Sequence, residues 1–260
     1  MFRGKGISGK ECSASIELLN TSASGINWFP GEKNPKDFKV VYENRTTVLI
    51  HSSGKKIIGV EHLSAAAIAF PNHEFALYAP QGELPLLDGS AKIWMDGLNN
   101  IAGVCRGVMH YALTTTPHFE ITIDSRYLTF TPGPELEIEY TINRFGHEFT
   151  AHAQIPNDLE KVLSARTFIF EQELPAANLS EDLRGCGILL PHDKLRFENE
   201  PAYHKILDLL GDISVYSNML PLGKFTVYNG GHELHHTACY RRIFCERQNL
   251  IFTPFDGDLK

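Results

Sequence analysis

Apolar and polar positions along the chain switch between two periods. Residues 37–50, DFKVVYENRTTVLI, are rich in β-branched side chains and read as strand, and 55–60, KKIIGV, continue the trend. Residues 60–70, VEHLSAAAIAF, predict a helix whose small apolar residues allow close packing. HEFALYAP (73–80) reads as strand, QGELPLLDGS (81–90) as a turn-rich loop, 91–103 as a second helix, and 107–116 as strand again. A linker is expected at TTTPH, 114–118. Beyond it the order restarts. Strands are predicted at 118–125, 127–133, 136–142 and 149–155, then a helix near 157–165 and the strand-like RTFIF (166–170). A helix at 201–213, a strand at 224–229 and a helix from 231 to 245 complete the pattern. Each half runs from strands to helices, which predicts an α+β protein of two similar layered domains, 1–115 and 116–260.

The helix at 201–213 contains an unusual nonapeptide, HKILDLLGD, residues 204–212. Successive helical residues turn by about 100°, so His204, Asp208 and Asp212 fall within roughly 80° of one another. Ile206, Leu209, Leu210 and Ile213 gather on the other side. The polar stripe either faces water or faces a buried ion. His204 and Asp208, at i and i+4, are close enough to share a metal, but such pairs also form plain surface hydrogen bonds.

Composition narrows the classes. With 260 residues, 43% hydrophobic and 21% charged, the chain can fill a core without staples. A net charge of −7 gives no support to nucleic-acid binding, although local basic groups could still hold phosphates. There are five cysteines, and no CxxC pair appears, which suits a reduced, cytoplasmic protein. The opening MFRGKGISGKE has no apolar core of a secretory signal, and no run of about 18 apolar residues would span a membrane.

Two further segments carry metal-type chemistry. Glu61 and His62 open the first predicted helix; His62 could bind an ion while Glu61 reaches a water from the flank. The plain alternative is a charged first turn favoured by the helix dipole. The segment NGGHELHH holds His232-Glu233-x-x-His236, a formal HExxH match. Gly230 and Gly231 immediately precede His232, so His232 is expected at a helix start, with Glu233 and His236 on the surface of the first turn. That weighs against a protease.

Taken together, EHLSAA, ELPLLDGSA, SARTFIF, LRFENE, HKILDLLGD and GGHELHH resemble, in order and context, the UDP-3-O-acyl-N-acetylglucosamine deacetylases. These are the zinc amidases that commit bacteria to lipid A synthesis. The resemblance runs from about residue 4 to 245. It implies helices sandwiched between two β-sheets. It implies His62, His204 and Asp208 as zinc ligands, although Fe2+ could also occupy such a site. Glu61 would be the general base, and His232 the protonated acid oriented by Asp212. Thr167 would bond the oxyanion, and Lys205 and Phe168 would contact the substrate, an acylated amino-sugar nucleotide. A monomer is expected.

Three departures from the family pattern bear on substrate. The family opens with a G-x-G-L-H-S-G stretch; here GKGISGK has Ser8 and no histidine. The usual basic residue three before the catalytic histidine is Asn229, for which Arg144 or His147 could compensate. The connection 171–194 is shorter than the family's acyl-passage insert, leaving a helix at 177–184 and Leu174, Leu183, Ile188 and Leu189 as lining or as ordinary packing. A related amidase acting on a different N-acylated amino sugar is therefore the alternative. A non-catalytic ligand-binding relative is the third reading, and it sits poorly with a complete chemical set.

Overall fold

The structure is a computed structural model that describes residues 1–103, 110–111, 118–174, 185–217 and 220–240. The first sheet contains β1 (Phe2–Lys5), β2 (Glu11–Leu19), β3 (Gly25–Asn27) and β7 (Glu74–Tyr78), in the order β1-β2-β7-β3. A separate three-stranded sheet follows chain order: β4 (Phe38–Glu43), β5 (Thr46–His51) and β6 (Lys56–Ile58). The run at 37–50 is thus two strands. It breaks at Asn44 and Arg45, with φ of 49° and 68°, the left-handed pair that a tight hairpin requires.

The second large sheet holds β9 (Phe119–Ile123), β10 (Arg126–Pro132), β11 (Leu136–Arg144), β12 (His147–Ile155) and β16 (Gly223–Tyr228), in the order β12-β11-β16-β10-β9. Alternation decides its faces: Leu136, Ile138, Tyr140 and Ile142 of β11 are buried, while Glu137 and Glu139 take the other side. Short parallel pairs join β13 (Phe168–Phe170) to β14 (Ile188–Leu190), and β8 (His110–Tyr111) to β15 (Leu220–Pro221).

The helices are α1 (Glu61–Ala67), α2 (Lys92–Ala102), α3 (Leu159–Leu163), α4 (Glu200–Tyr216) and α5 (His232–Ala238). Helices α1 and α2 pack against the first sheet, α4 and α5 against the second, and α1 lies along α4. The result is the expected α+β arrangement with helices between two sheets. One continuous apolar core joins strands and helices from Ala14 to Cys239.

Helix α4 is longer than its apolar run suggested. It is also buried on nearly every side, because sheet and helices surround it. The polar stripe therefore faces the interior: His204, Asp208 and Asp212 are 1%, 2% and 0% exposed. The predicted helix at 177–184, Leu183 and most of the linker at 114–118 lie outside the described residues. So does the predicted helix beyond residue 240.

Candidate active site

Glycine at 211 brings the two site-bearing helices together. A Cβ there would collide with the Glu61 carbonyl, so only glycine lets α4 press onto the start of α1. Gly59, with φ of 81°, turns the chain from β6 into α1, so that Glu61 and His62 are its first residues.

His62, His204 and Asp208 then converge. Their ligand atoms lie within 4.8 Å of one another. Asp208 Oδ1 is 3.4 Å from His204 Nε2 and 3.7 Å from His62 Nε2, and the two rings meet edge-on at 87°. His204 Nδ1 donates to the Ala165 carbonyl at 3.1 Å, which leaves the Nε2 lone pair facing the cluster. Burial pushes the His204 pKa down to about 3; Asp208 opposes this, and His62 and Lys205 add to it. Burial acts to raise the Asp208 pKa, but the neighbouring His204, Lys205, His232 and His62 hold it well below the carboxylate range. Lys205 donates to Asp208 Oδ2 at 2.7 Å, leaving Oδ1 for the imidazoles. Two imidazole nitrogens and one carboxylate oxygen gathered around one point fit a divalent ion with three protein ligands.

Two groups flank this cluster. Glu61, 6% exposed, accepts from Thr46 Oγ at 2.6 Å and from the Thr47 N–H at 3.2 Å. His232 Nε2 lies 4.0 Å from both Glu61 Oε1 and Asp208 Oδ2, across the same space. Its Nδ1 donates to Asp212 Oδ2 at 2.8 Å. Burial alone disfavours the charged ring, but Asp212, Asp208 and Glu61 outweigh it and raise the His232 pKa to about 9. Asp212 also accepts from His235 Nδ1 at 2.8 Å and from Thr47 Oγ at 2.6 Å. Burial acts to raise its pKa, yet His232, His236 and these bonds push it far below the ordinary range.

The second half of the HExxH match needs correction. His232 does open α5 after the extended Gly231, as expected. His236, however, is buried at 8% exposure rather than on the surface, and burial lowers its pKa to about 4. Its Nε2 contacts Thr47 Oγ at 2.9 Å, and its Nδ1 meets the Tyr216 hydroxyl at 3.3 Å. Glu233 is paired with Arg126 at 3.0 Å, away from the cluster. His235 is fully buried, and its Nε2 accepts from the Tyr140 hydroxyl at 2.9 Å. Sequence reasoning missed Thr46, Thr47, Tyr140 and His235. The His-His doublet was visible, but a surface helix turn was the wrong setting for it.

Of the remaining candidates, Phe168 and Lys205 contact the cluster. Phe168 meets the His204 ring edge-on at 6.2 Å between centroids, and Lys205 Nζ lies 5.6 Å from the Phe168 ring. Thr167, half-buried, is fixed by its backbone: its N–H donates to the Gly89 carbonyl at 2.7 Å, and its carbonyl accepts from the Ile188 N–H at 2.8 Å. Ser8 is engaged by Glu83 through both its N–H and its hydroxyl, at 2.8 and 2.6 Å. Asn229 is engaged by the backbone of Asn143 at 2.7 and 3.1 Å. Ile188 packs with Phe170 and Leu190 in a small core, so it serves ordinary packing, while Leu174 is exposed.

Against known proteins, a profile of the UDP-3-O-acyl N-acetylglycosamine deacetylases matches residues 2–244. The chain belongs to this family. A UDP-3-O-acyl-N-acetylglucosamine deacetylase from Nautilia profundicola is 25% identical over 259 residues, covering 90% of this chain and 86% of the relative. The deacetylase from Psychrobacter arcticus is 27% identical over 225 residues, 79% of this chain and 69% of the relative. That from Aquifex aeolicus is 26% identical over 256 residues, 90% and 86% respectively. Membership makes the chain an amidohydrolase of the lipid A deacetylase family, and a metalloenzyme whose buried His and Asp groups can hold an ion. Among the described residues, no helix is long and apolar enough to cross a membrane.

Proposed function

We propose that the protein is a zinc-dependent N-deacetylase acting on a UDP-3-O-acyl-N-acetylglucosamine-type substrate. In this reading the ion is held by His62, His204 and Asp208 in a cleft between an N-terminal unit, 1–115, and a C-terminal unit, 116–260. The observation that carries it is the convergence of those three buried side chains with Glu61 and His232 on the flanks. The ion would supply a Lewis acid for the amide carbonyl and acidify water toward neutrality.

The chain's own groups do the rest. Glu61 Oε1 takes a proton from the attacking water. His232, charged and aimed by Asp212, gives a proton from Nε2 to the leaving amine nitrogen. Thr167 donates to the oxyanion as the carbonyl becomes tetrahedral. The Lys205 ammonium and the Phe168 ring hold the substrate's polar and apolar parts. The enzyme works as a cytoplasmic monomer.

A second reading keeps this chemistry and changes the substrate to another N-acylated amino sugar. It is favoured by Ser8 and Asn229, because both are committed to internal hydrogen bonds where the family pattern has ligand-facing imidazole and cation. Metal analysis and a substrate panel test both. The purified protein should carry about one zinc per chain, and Glu61→Ala should keep it while losing about 10²–10⁴-fold in turnover. Unchanged turnover in Glu61→Ala removes the mechanism. UDP-3-O-acyl-N-acetylglucosamine turning over far better than UDP-N-acetylglucosamine and simple N-acetyl sugars supports the first reading; the reverse ranking selects the second.

A further inference from the structure

We propose that Thr46 and Thr47, at the start of β5, are positioning residues for the reaction, holding the Glu61 carboxylate and the Asp212–His232 pair at one fixed spacing. The inference rests on the roles read above for Glu61 and His232 and extends them.

The Thr46 hydroxyl takes one oxygen of Glu61, and the Thr47 N–H takes the other, at 2.6 and 3.2 Å. Adjacent residues thus grip both ends of one carboxylate and fix its plane. The Thr47 hydroxyl donates to Asp212 Oδ1 at 2.6 Å and accepts from His236 Nε2 at 2.9 Å. The Thr47 carbonyl accepts the N–H groups of Gly59 and Val60 at 3.0 and 3.4 Å, the two residues that lead into α1. Every polar atom of Thr47 is therefore spent on the base, on the partner of the acid, or on the turn that delivers the base.

Strand geometry explains why Thr47 can do this. Thr47 pairs with Tyr42 on β4 but lies one position beyond the last β5–β6 pair, Val48 with Ile58, so β6 offers its N–H no paired strand carbonyl. The Glu61 side chain supplies the missing acceptor. Thr46 and Thr47 are 2% and 0% exposed, so water does not compete for these bonds. The arrangement matters because base and acid act on one amide in turn: Glu61 on the water, His232 on the nitrogen. Small displacements between such groups cost rate without costing affinity.

The test uses the metal-loaded full chain, with the panel substrate of highest kcat/KM. Thr47→Val keeps the side-chain shape and removes the hydroxyl. It should lower kcat by about 10–100-fold, the usual cost of losing an outer partner of a site. KM should stay within about twofold and metal content should be unchanged. Thr47→Ser should recover kcat to within about threefold, since it restores the bond and not the methyl. Thr46→Val, which leaves the Asp212 bonds intact, should also lower kcat. Parental kcat in folded Thr47→Val overturns the proposal, as does a loss that Thr47→Ser shares in full. If Thr47→Val fails to fold, parental kcat in Thr46→Val overturns it instead. His232→Ala, run in parallel, separates the two levels. An inactive His232→Ala beside a fully active Thr47→Val sinks this inference alone, whereas an active His232→Ala sinks the reading beneath it.

Discussion

Helix α4 carries two aspartates one turn apart, and each sits among imidazoles, yet the two settings put the same side chains to opposite uses. Around Asp208, the ring nitrogens of His62 and His204 face the carboxylate at 3.4–3.7 Å without a hydrogen bond to it. His204 has already spent its proton-bearing Nδ1 on Ala165. What remains in the middle is the His204 Nε2 lone pair beside the carboxylate oxygen, with the His62 Nε2 facing both. Around Asp212, the His232 and His235 Nδ1 atoms approach to 2.8 Å and donate directly. What remains there is a set of protons already shared. The atoms of Asp212, His232 and His235 also lie close enough for an ion. Their mutual hydrogen bonds occupy the positions a metal would need. The lesson is that residue type and proximity do not separate a metal site from a proton-handling site; the direction of each ring's second nitrogen does.

Metal binding offers the strongest way to break that comparison. His204→Ala should lower metal affinity by more than the about 10–100-fold that an outer partner costs, with turnover lost alongside. His235→Ala should keep its metal. Zinc measured by atomic absorption in both variants decides; metal lost from His235→Ala and kept in His204→Ala would invert the assignment of the two clusters.

Next in size is Asp212→Asn. It should retain metal but lose about 10²–10⁴-fold in kcat, because His232 loses the anion that keeps its ring aimed and charged. The pH dependence follows with a definite sign. The raised His232 pKa means that the charged acid persists below about pH 9 and is lost as pH rises through that value. In metal-free protein, imidazole NMR should show His232 titrating near 9. Asp212→Asn should move that titration down, and loading a divalent cation should also move it down, by repulsion. A His232 titration that is the same in all three samples would remove Asp212 and the cluster from its control.

A smaller effect is expected at Gly211. Gly211→Ala should cost about 3 kcal/mol, the upper end for overpacking, since the new methyl meets Glu61 backbone rather than a flexible side chain. It should also weaken metal binding by separating α4 from His62. Thermal denaturation with and without zinc checks both. Smallest is Tyr140→Phe, which strips one neutral hydrogen bond from His235 and should cost about 1 kcal/mol with kcat nearly unchanged. A large kcat loss there would show the Asp212 setting reaching further into the second sheet.

Much of the fold was readable in advance where local periodicity carried it. The alternation in β11, the apolar face of α4 and the strand-to-helix order of each half all follow from side chains that must turn inward every second or every third to fourth residue. The hairpin at Asn44–Arg45 was not read, because the β-branched run continues on both sides of it and only a left-handed pair marks the turn. In the site, His204, Asp208 and Asp212 could be grouped because one helix spaces them. His236 was misplaced for a related reason. A short helix start looks exposed in sequence, and only the packing of α5 against α4 and the second sheet buries it.

The sequence by itself determined which residues lie on one ridge of α4, that an acid and an imidazole open α1, and that the assembled segments resemble one family of zinc amidases. Those are properties of neighbours along the chain, and helical geometry converts their spacing into direction. The tertiary structure alone decided that the ridge faces inward, that His62 meets His204 and Asp208, and that a pair of threonines on β5 ties Glu61 to Asp212, with Thr47 reaching Asp212 across 165 residues of chain. The reason is physical: contacts between distant segments depend on how surfaces fit once buried. No period in the sequence records which lone pair or which proton will face the other across that fit.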